Sequence, residues 1–263
     1  YKLKTILTGC ILPADKKKFL NKFDSISNTK NLFKRYHGLV RGTIYVPISN
    51  GCNNTCSYCA VPLTRGPLVC RDHQEIIKEV ENVVKSGLKE VWLLGQNVNN
   101  YQSPANPKIN FAKLLRLAND IPGNFKIRFM SPHPAYFTDE LIEVMAKCPK
   151  VAHYLNLPAQ SGDNQILTKM GRPYTVEQYK NLVKKIIKKI PDINLSTDII
   201  VGFPGETKKQ FANTVKLFKK IKFNIAYISK YSPRPGTMAA KMKDNVSIKE
   251  KKRRWKILNS LLS

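Results

Sequence analysis

The run Gly51-Cys-Asn-Asn-Thr-Cys-Ser-Tyr-Cys59 is the most informative stretch of this chain, because it spaces Cys52, Cys56 and Cys59 as C-x3-C-x2-C. Three thiolates on one short loop match three corners of a four-iron, four-sulfur cluster. The fourth iron then has no protein ligand and can hold a substrate. The spacing therefore favours an iron–sulfur cluster that takes part in chemistry.

Structural zinc and unmetallated thiols are the alternatives for this loop. A structural zinc site normally closes its shell with four protein ligands. The nearest further candidates are Cys70 and His73, eleven and fourteen residues beyond Cys59. Neither is well placed on the same short loop, so the zinc interpretation is the weaker one.

The cysteine spacing, with Tyr58 directly before the last thiol, resembles the radical S-adenosylmethionine (SAM) superfamily. The resemblance implies that Cys52, Cys56 and Cys59 hold a [4Fe-4S] cluster whose open iron chelates SAM. An electron from the cluster then cleaves SAM to a 5′-deoxyadenosyl radical. The resemblance also implies that Tyr58 lies against the adenine of SAM, and ordinary core packing is the alternative for this ring.

Composition indicates a globular chain with a polyanionic partner. Of the 263 residues, 42% are hydrophobic, and 45 basic against 18 acidic residues give a net charge of +27. That charge favours nucleic-acid binding. A lysine bias of an AT-rich genome is the alternative, and the basic runs at 16–18, 184–189 and 249–254 then read as solvated helix faces. The cysteine usage predicts a reducing, cytoplasmic compartment. Because the sequence has no apolar run of about 18 residues, no membrane span is expected.

From residue 43 onward, strand-like apolar runs alternate with amphipathic helical stretches. Strands are predicted over 43–48, 90–94, 127–130, 153–157, 194–201 and 225–231. Helices are predicted over 72–86, 111–118, 139–147, 164–170, 176–189, 208–221 and 249–262. Six βα units predict an α/β fold with a parallel sheet, an open (β/α)6 partial barrel rather than the closed eight. Ligands of such sheets bind at the carboxyl ends of the strands, and the cysteine loop follows the first strand.

Amide and glycine residues follow two of these strands. Gln96 and Asn97 come directly after the second strand, where the resemblance implies a contact to the SAM amino group; a polar loop that caps the next helix is the alternative. Gly202 and Gly205 follow the fifth strand, and glycine permits close approach of a backbone to a ligand. The superfamily has a glycine-rich SAM-contacting turn at this place.

Five more polar residues are candidates for the site. Gln160, after the fourth strand, is a candidate for the ribose or the substrate, with a helix-capping turn as the alternative. Arg172 is a candidate partner of the SAM carboxylate, since arginine binds carboxylates with a fork of donors. Arg65, His133 and Arg234 are substrate candidates, although turns explain His133 and Arg234 equally well.

Six motifs in order narrow the resemblance to the radical SAM methylthiotransferases, closest to the MiaB-like branch that makes 2-methylthio-N6-dimethylallyladenosine in tRNA. They are Gly-Cys-Asn-Asn-Thr-Cys-Ser-Tyr-Cys-Ala-Val-Pro-Leu-Thr-Arg-Gly, Leu-Leu-Gly-Gln-Asn-Val-Asn, Ser-Pro-His-Pro, Leu-Pro-Ala-Gln-Ser-Gly, Thr-Asp-Ile-Ile-Val-Gly-Phe-Pro-Gly-Glu-Thr and Tyr-Ser-Pro-Arg-Pro-Gly-Thr. The likeness runs from about Thr43 to the end of the chain.

The family resemblance implies three domains, of which this chain is expected to hold part. Residues 1–38 are expected to be the end of an N-terminal domain plus a linker, and 39–263 the radical SAM core, with the C-terminal RNA-binding TRAM domain absent. Cys10 matches the last of three cysteines that hold a second [4Fe-4S] cluster in the full-length protein. We therefore expect the chain alone to cleave SAM but not to install sulfur.

The resemblance implies an enzyme that adds a methylthio group to C2 of N6-isopentenyladenosine beside the tRNA anticodon. The same chemistry on N6-threonylcarbamoyladenosine in tRNA, or on an aspartate of a ribosomal protein, is the alternative. A non-catalytic zinc module that binds RNA is a remote one. The expected partners are the tRNA anticodon loop and an electron donor such as flavodoxin or ferredoxin, and the expected state is a monomer.

Overall fold

The computed structural model of the chain describes residues 6–7, 11–12, 15–19, 22–23, 25–26 and 43–262. In the first part, strand β1 (Ile6–Leu7) pairs in parallel with β2 (Ser25–Ile26), and helix α1 (Lys16–Phe19) lies between them in sequence. Cys10 lies outside the described residues, and the boundary near residue 38 stays a prediction.

Six parallel strands form the body of the molecule. They are β3 (Thr43–Pro47), β6 (Glu90–Leu94), β7 (Lys126–Phe129), β8 (Tyr154–Asn156), β9 (Asn194–Val201) and β10 (Ile225–Lys230). They pair in the orders β3-β6-β7 and β8-β9-β10. A single parallel bridge between Ile127 and Val151 joins the two halves. Within residues 43–262 no ladder joins β10 to β3, so the barrel is open, as the sequence predicts.

Helices follow the strands and cover the sheet. They are α2 (Val61–Arg65), α3 (His73–Lys85), α4 (Phe111–Asp120), α5 (Asp139–Lys147), α6 (Asn164–Lys169), α7 (Val176–Lys189), α8 (Lys208–Ile221) and α9 (Ile248–Asn259). All but α2 begin at a side chain that accepts a hydrogen bond from a free N–H of the first turn. The capping residues are Asp72, Asn110, Thr138, Asp163, Thr175, Thr207 and Ser247.

The core lies between the helices and one face of the sheet. Because strand residues alternate between faces, Val46 and Leu93 are buried, and their neighbours Tyr45 and Trp92 are half-buried on the other face. Helix α3 contributes apolar residues spaced three and four apart, including Ile76 and Val80. No helix in the part of the chain that the structure describes is long and apolar enough to span a membrane.

The predicted elements match the observed ones to within two residues, except that α9 ends at Asn259, three residues before the predicted end. Two features around the cysteine loop are missing from the prediction. One is α2, directly after the last cysteine of the loop. The other is the short antiparallel pair β4 (Ser49–Asn50) and β5 (Val69–Cys70), which closes the base of the cysteine loop. The segments are too short to show a periodicity in the sequence.

Candidate functional site

A cavity of about 250 Å³ opens at the carboxyl ends of the strands, and the three cysteines of the loop line it. Five other residues predicted for the site line the same cavity: Tyr58, Gln96, His133, Gln160 and Arg172. With the cysteines they come from five different loops, so the fold brings together side chains that are up to 120 residues apart, from Cys52 to Arg172.

The cysteine loop is fixed from two sides. At its base, the side-chain oxygen of Gln96 accepts the Gly51 N–H at 2.7 Å. At its tip, the Ser57 N–H donates to the Met170 carbonyl at 3.0 Å, and the Ser57 hydroxyl donates to the Lys169 carbonyl at 2.8 Å. These bonds hold the thiols toward the cavity before any ligand binds, and they give Gln96 a structural role as well as the predicted one.

Gly171 lets the segment with Arg172 approach the cysteine loop closely. Its φ is +69°, and a Cβ there would lie 2.8 Å from the Thr55 carbonyl oxygen. A side chain at this position would push the two loops apart. The glycine thus sets the distance between Arg172 and the cysteines.

Each of the three sulfur atoms accepts one hydrogen bond at 3.5 Å. Cys52 accepts from the Asn54 N–H, Cys59 from the Val61 N–H, and Cys56 from a guanidinium nitrogen of Arg172. Burial raises the pKa of the Cys52 and Cys59 thiols, and the hydrogen bonds and the charge of Arg172 oppose that shift. Such donors stabilise thiolates and tune the clusters that thiolates hold.

Arg172 is buried, with 8% of its surface exposed, and it faces the cavity without a carboxylate partner among the described residues. Its Nε donates to the Tyr174 hydroxyl at 2.9 Å, and its Cζ lies 5.0 Å from the centre of the Tyr174 ring. The guanidinium is therefore held in place by neutral groups. An anionic ligand in the cavity would supply the missing counter-charge.

Several buried polar atoms at this edge of the sheet have no hydrogen-bond partner. They are both side-chain atoms of Asn97, Nε2 of His133 and Oε1 of Gln160. Leaving a buried donor or acceptor unpaired costs about 1–3 kcal/mol, so such atoms mark a place where a ligand completes the bonding. Burial lowers the pKa of His133 to about 3, with the charge of Arg172 adding to the effect. His133 is therefore a neutral imidazole at the cavity.

The glycine-rich turn after β9 is held by the C-terminal helix α9. Glu206 ends the turn, and its carboxylate accepts the Gly202 N–H at 2.7 Å and Nη1 of Arg254 at 2.6 Å. Arg254 also donates to the Glu206 carbonyl at 3.0 Å. The side chains of both charged residues are at most 3% exposed. This is a fully buried ion pair that fixes the conformation of the turn.

Lys251 of α9 fills the space beside Gly202. A Cβ on Gly202, whose φ is +70°, would lie 2.3 Å from Cγ of Lys251. Lys251 pairs with Asp244 at 2.6 Å and donates to the Tyr231 carbonyl at 3.2 Å. Lys251 and Arg254 are buried. The basic run at 249–254, which the sequence allows as a solvated face, therefore contributes two of its cations to the packing of the turn.

Five predicted site residues within the described ranges do not line the cavity: Arg65, Asn97, Gly202, Gly205 and Arg234. Gly202 and Gly205 lie in the turn under α9, and a Cβ on Gly205 would come within 3.3 Å of the Lys169 ammonium. Arg65 bonds the Asn50 side chain at 3.2 Å, and Arg234 is exposed. Their predicted contacts to SAM or substrate remain predictions.

Asp198 and Asn54 line the cavity, although the sequence analysis missed them. Asp198 lies within β9 and accepts a hydrogen bond from Asn156 of β8 at 2.8 Å; burial raises the pKa of its carboxyl group. The signal was an acidic residue inside an apolar strand. Asn54 sits between the first two cysteines and accepts from the Tyr136 hydroxyl at 2.8 Å.

The two residues that the zinc alternative would draw on lie elsewhere. Cys70 is paired in β5 with Ser49, and Nδ1 of His73 lies 2.8 Å from the Ser103 hydroxyl. Neither lines the cavity. Within the described ranges, no three His, Cys, Asp or Glu side chains are gathered closely enough to hold a single metal ion.

The residues of the cavity fit a cluster with one bound cofactor. Three thiols with one donor each would hold three irons, and Arg172 lies beside them for an anionic group. The unpaired atoms of His133 and Gln160 in the cavity, and those of Asn97 next to Gln96, leave hydrogen bonds for a polar ligand.

Comparisons with known proteins agree with this site. The model of the Radical SAM superfamily matches residues 46–218. The chain is 51% identical over 202 residues to the tRNA-2-methylthio-N(6)-dimethylallyladenosine synthase of Clostridium novyi, covering 77% of this chain and 45% of that protein. It is 45% identical to the protein of the same name from Buchnera aphidicola subsp. Cinara cedri, covering 91% and 54%. The chain thus spans about half the length of these relatives.

Solved structures share the fold at low sequence identity. The radical S-adenosylmethionine methyltransferase TsrM from Kitasatospora setae aligns with a TM-score of 0.64 at 20% identity, over 79% of this chain and 42% of that one. Coproporphyrinogen III oxidase (HemN) from Escherichia coli aligns with a TM-score of 0.60 at 18% identity, over 83% and 51%. Together with the matched family model and the cysteine cavity, this shows that the chain belongs to the radical SAM superfamily.

Proposed function

We propose that the whole protein is a tRNA methylthiotransferase, which adds a methylthio group to C2 of N6-isopentenyladenosine beside the anticodon. The observation that carries the proposal is the cavity in which three thiols meet Arg172 and unpaired polar atoms. The substrate comes from the relatives, whose names specify 2-methylthio-N(6)-dimethylallyladenosine in tRNA. The net charge of +27 supports an RNA substrate.

Within this proposal, Cys52, Cys56 and Cys59 hold the [4Fe-4S] cluster, which when bound supplies the electron for reductive cleavage of SAM. Arg172 offsets the negative charge of the thiolates and binds the SAM carboxylate. Tyr58 lies beside the thiols and packs against the apolar cluster around Phe203, so that its ring forms a wall of the cavity.

Polar side chains orient the ligand in the proposed site. Asn97 and Gln160 offer unpaired buried atoms to the amino-acid and ribose groups of SAM. His133 accepts or donates one hydrogen bond as a neutral imidazole, because its pKa is lowered to about 3. It therefore does not serve as a cationic acid at neutral pH.

Three features of the proposal concern the full-length protein. Cys10 is one ligand of a second [4Fe-4S] cluster that delivers sulfur, and residues 39–263 are the radical SAM core. The electron comes from a flavodoxin or ferredoxin. The protein acts as a monomer in the cytoplasm.

Two measurements test the proposal. Iron, sulfide and zinc are counted per chain after anaerobic reconstitution, and 5′-deoxyadenosine is measured after dithionite and SAM are added. About four irons per chain and formation of 5′-deoxyadenosine are expected. Nucleosides of tRNA from cells with and without the gene are then compared by mass spectrometry. Loss of the 2-methylthio group from isopentenyladenosine supports the substrate, whereas loss from threonylcarbamoyladenosine, or from a ribosomal protein, favours the related alternatives.

A zinc-dependent RNA-binding module is the remote alternative. His133 lines the cavity with the three cysteines, but the described side chains do not gather three ligands closely enough for a single metal ion. This candidate predicts one zinc per chain, no iron and no cleavage of SAM. The metal count therefore separates it from the enzyme.

A further inference from the structure

A groove of about 600 Å³ lies between helices α7 and α8, outside the cysteine cavity. One end of the groove is formed by Gly162 and Thr207. These residues follow β8 and β9 at the carboxyl edge of the sheet, the same edge that carries the cavity. The groove therefore runs from the neighbourhood of the cavity down the outside of the barrel.

Lysines from both helices line the groove. Lys180 belongs to α7, and Lys209, Lys216 and Lys220 belong to α8. Two exposed lysines, Lys184 and Lys188, continue the row from Lys180 at intervals of four residues. Residues four apart share a helix face and rise by about 6 Å, so α7 presents an evenly spaced row of cations.

The acidic residues of the groove do not neutralise these rows. Asp163 is buried, caps α6 and accepts a hydrogen bond from Asn213 at 2.8 Å. Glu177 accepts from Asn164 at 3.0 Å and lies 3.5 Å from Lys180. That is the single ion pair that the described part of the chain records for the lysines of this groove.

We propose that the α7–α8 groove binds the phosphate backbone of the RNA substrate next to the nucleotide that enters the cavity. Two rows of exposed point charges suit a chain of phosphates, whereas a single small anion would need a compact, buried cluster of donors. The groove begins at the edge of the sheet that holds the cavity, so a strand leaving the cavity can follow it. This inference rests on the proposed function, because that function supplies the RNA.

The test compares two triple variants that lose the same charge. One is Lys209→Ala with Lys216→Ala and Lys220→Ala, three exposed lysines that line the groove. The control is Lys78→Ala with Lys85→Ala and Lys89→Ala, exposed lysines on or after α3 in the other half of the barrel. Binding of an anticodon stem–loop RNA is measured by fluorescence anisotropy between about 50 and 200 mM salt, the range in which phosphate contacts weaken steeply. The thermal midpoint and the iron content of each variant establish that it is folded.

We expect the groove variant to bind the RNA about tenfold or more weakly, and the control to bind like the unchanged chain. The slope of log affinity against log salt should decrease by about 2, since three lysines on single-stranded phosphates contribute about 0.7 each. An RNA of unrelated sequence should show the same loss, because phosphate contacts carry no sequence information.

Equal weakening of both variants, or unchanged binding by the groove variant, overturns the groove proposal. So does an unchanged chain that binds no RNA. The proposed enzyme is tested separately, by 5′-deoxyadenosine formed by the unchanged chain without RNA. If that product forms while the groove variant binds RNA normally, the groove proposal fails and the enzyme class stands.

Discussion

The two ends of the open barrel differ in how completely their buried polar groups are hydrogen-bonded. The amino ends of the strands form the lower end, and the carboxyl ends form the upper end. Near the start of the strands, Glu90, Trp92, Arg128 and Tyr154 pack against each other. Arg128 lies 5.6 Å from the Trp92 ring centre and 5.3 Å from that of Tyr154, and its Nε is 3.3 Å from a Glu90 carboxylate oxygen. At the carboxyl ends of the strands, by contrast, six of the seven unpartnered buried side-chain atoms of the described residues are found.

This difference distinguishes the end of the barrel that serves packing from the end that is open to a ligand. The lower end pairs the Arg128 charge with Glu90 and two aromatic rings, and among the described residues Nε of Arg128 is the one buried side-chain atom left there without a hydrogen bond. The upper end keeps Asn97, His133 and Gln160 unpaired at a cost of about 1–3 kcal/mol for each group. A folded protein tolerates such a cost where a ligand repays it on binding, which is why the comparison locates the site independently of the cysteine motif.

The largest effect is expected from the three cysteines at the upper end. Changing Cys52, Cys56 or Cys59 to Ala should each reduce 5′-deoxyadenosine formation to background, because three thiolates are needed to hold the cluster. Iron content and product formation after anaerobic reconstitution measure the loss. Cys148→Ala is the matched control, since this buried thiol lies at the end of α5, away from the cavity. Full iron content in a Cys56→Ala variant would contradict the assignment.

The next largest effect is expected from the α9 clamp, which is the buried Arg254–Glu206 ion pair that holds helix α9 against the glycine-rich turn. Arg254→Met should lower the free energy of unfolding by about 3–5 kcal/mol and weaken SAM binding, since it leaves the Glu206 carboxylate buried and unpaired. Urea unfolding and SAM titration measure the two effects. Arg253→Met is the control, because Arg253 is half-exposed and pairs with Glu250 alone.

A double variant separates the charge from the position of the turn. Arg254→Met with Glu206→Gln should recover part of the stability, because removing both charges is far less costly than removing one. If SAM affinity stays low while stability returns, Arg254 acts by positioning the turn. If affinity returns with stability, the loss in the single variant reflects partial unfolding.

A smaller change in the free energy of unfolding, of opposite sign, is expected at Asn97 and tests the comparison between the ends. Asn97→Leu should raise the free energy of unfolding of the ligand-free protein by about 1–2 kcal/mol, because it removes two unpaired buried atoms at similar volume. The same change should weaken SAM binding. At the lower end, Arg128→Met should instead destabilise the protein. Loss of stability in Asn97→Leu would mean that this amide is satisfied and that the two ends do not differ.

The smallest effect compares two carboxylates that share Arg254. Burial raises the pKa of Glu206, whereas hydrogen bonds from Arg253, with Arg254 adding to them, lower that of Glu250 from 4.5 to about 2. A lowered pKa in the folded state means that the ionised Glu250 stabilises the fold above pH 4.5 and that this contribution is lost as the pH falls toward 2.

Urea unfolding across that pH range tests the assignment of Glu250. The free energy of unfolding of the unchanged chain should fall more steeply with acid than that of Glu250→Gln. Parallel curves would assign the acid sensitivity to other carboxylates.

The sequence predicted the barrel well because its signals are periodic. Strand β9 and helices α5, α7 and α8 were predicted with the observed ends, since their apolar spacing is regular and their caps are strong. The cysteine loop and most of the cavity followed from the motifs and the rule that ligands bind at the carboxyl ends of strands.

The missed features depend on long-range packing. Lys251 and Arg254 read as surface charges because helix periodicity does not tell which cation meets a buried carboxylate 48 residues away, as Arg254 meets Glu206. Asp198 was missed because a single acidic residue in an apolar strand does not show by itself that its side chain reaches the cavity. Gly202 was assigned to ligand approach, yet its missing side chain makes room for Lys251.

The clamp by α9 has a consequence for how the protein matures. A chain emerging from the ribosome exposes its N-terminal segments first. The cysteine loop and all six strands are therefore made before Lys251 and Arg254. Until then Glu206 lacks its arginine and the glycine-rich turn lacks its support. The turn can take its folded form only once α9 has been made, so this part of the barrel is completed by synthesis of α9 rather than by the appearance of the thiols.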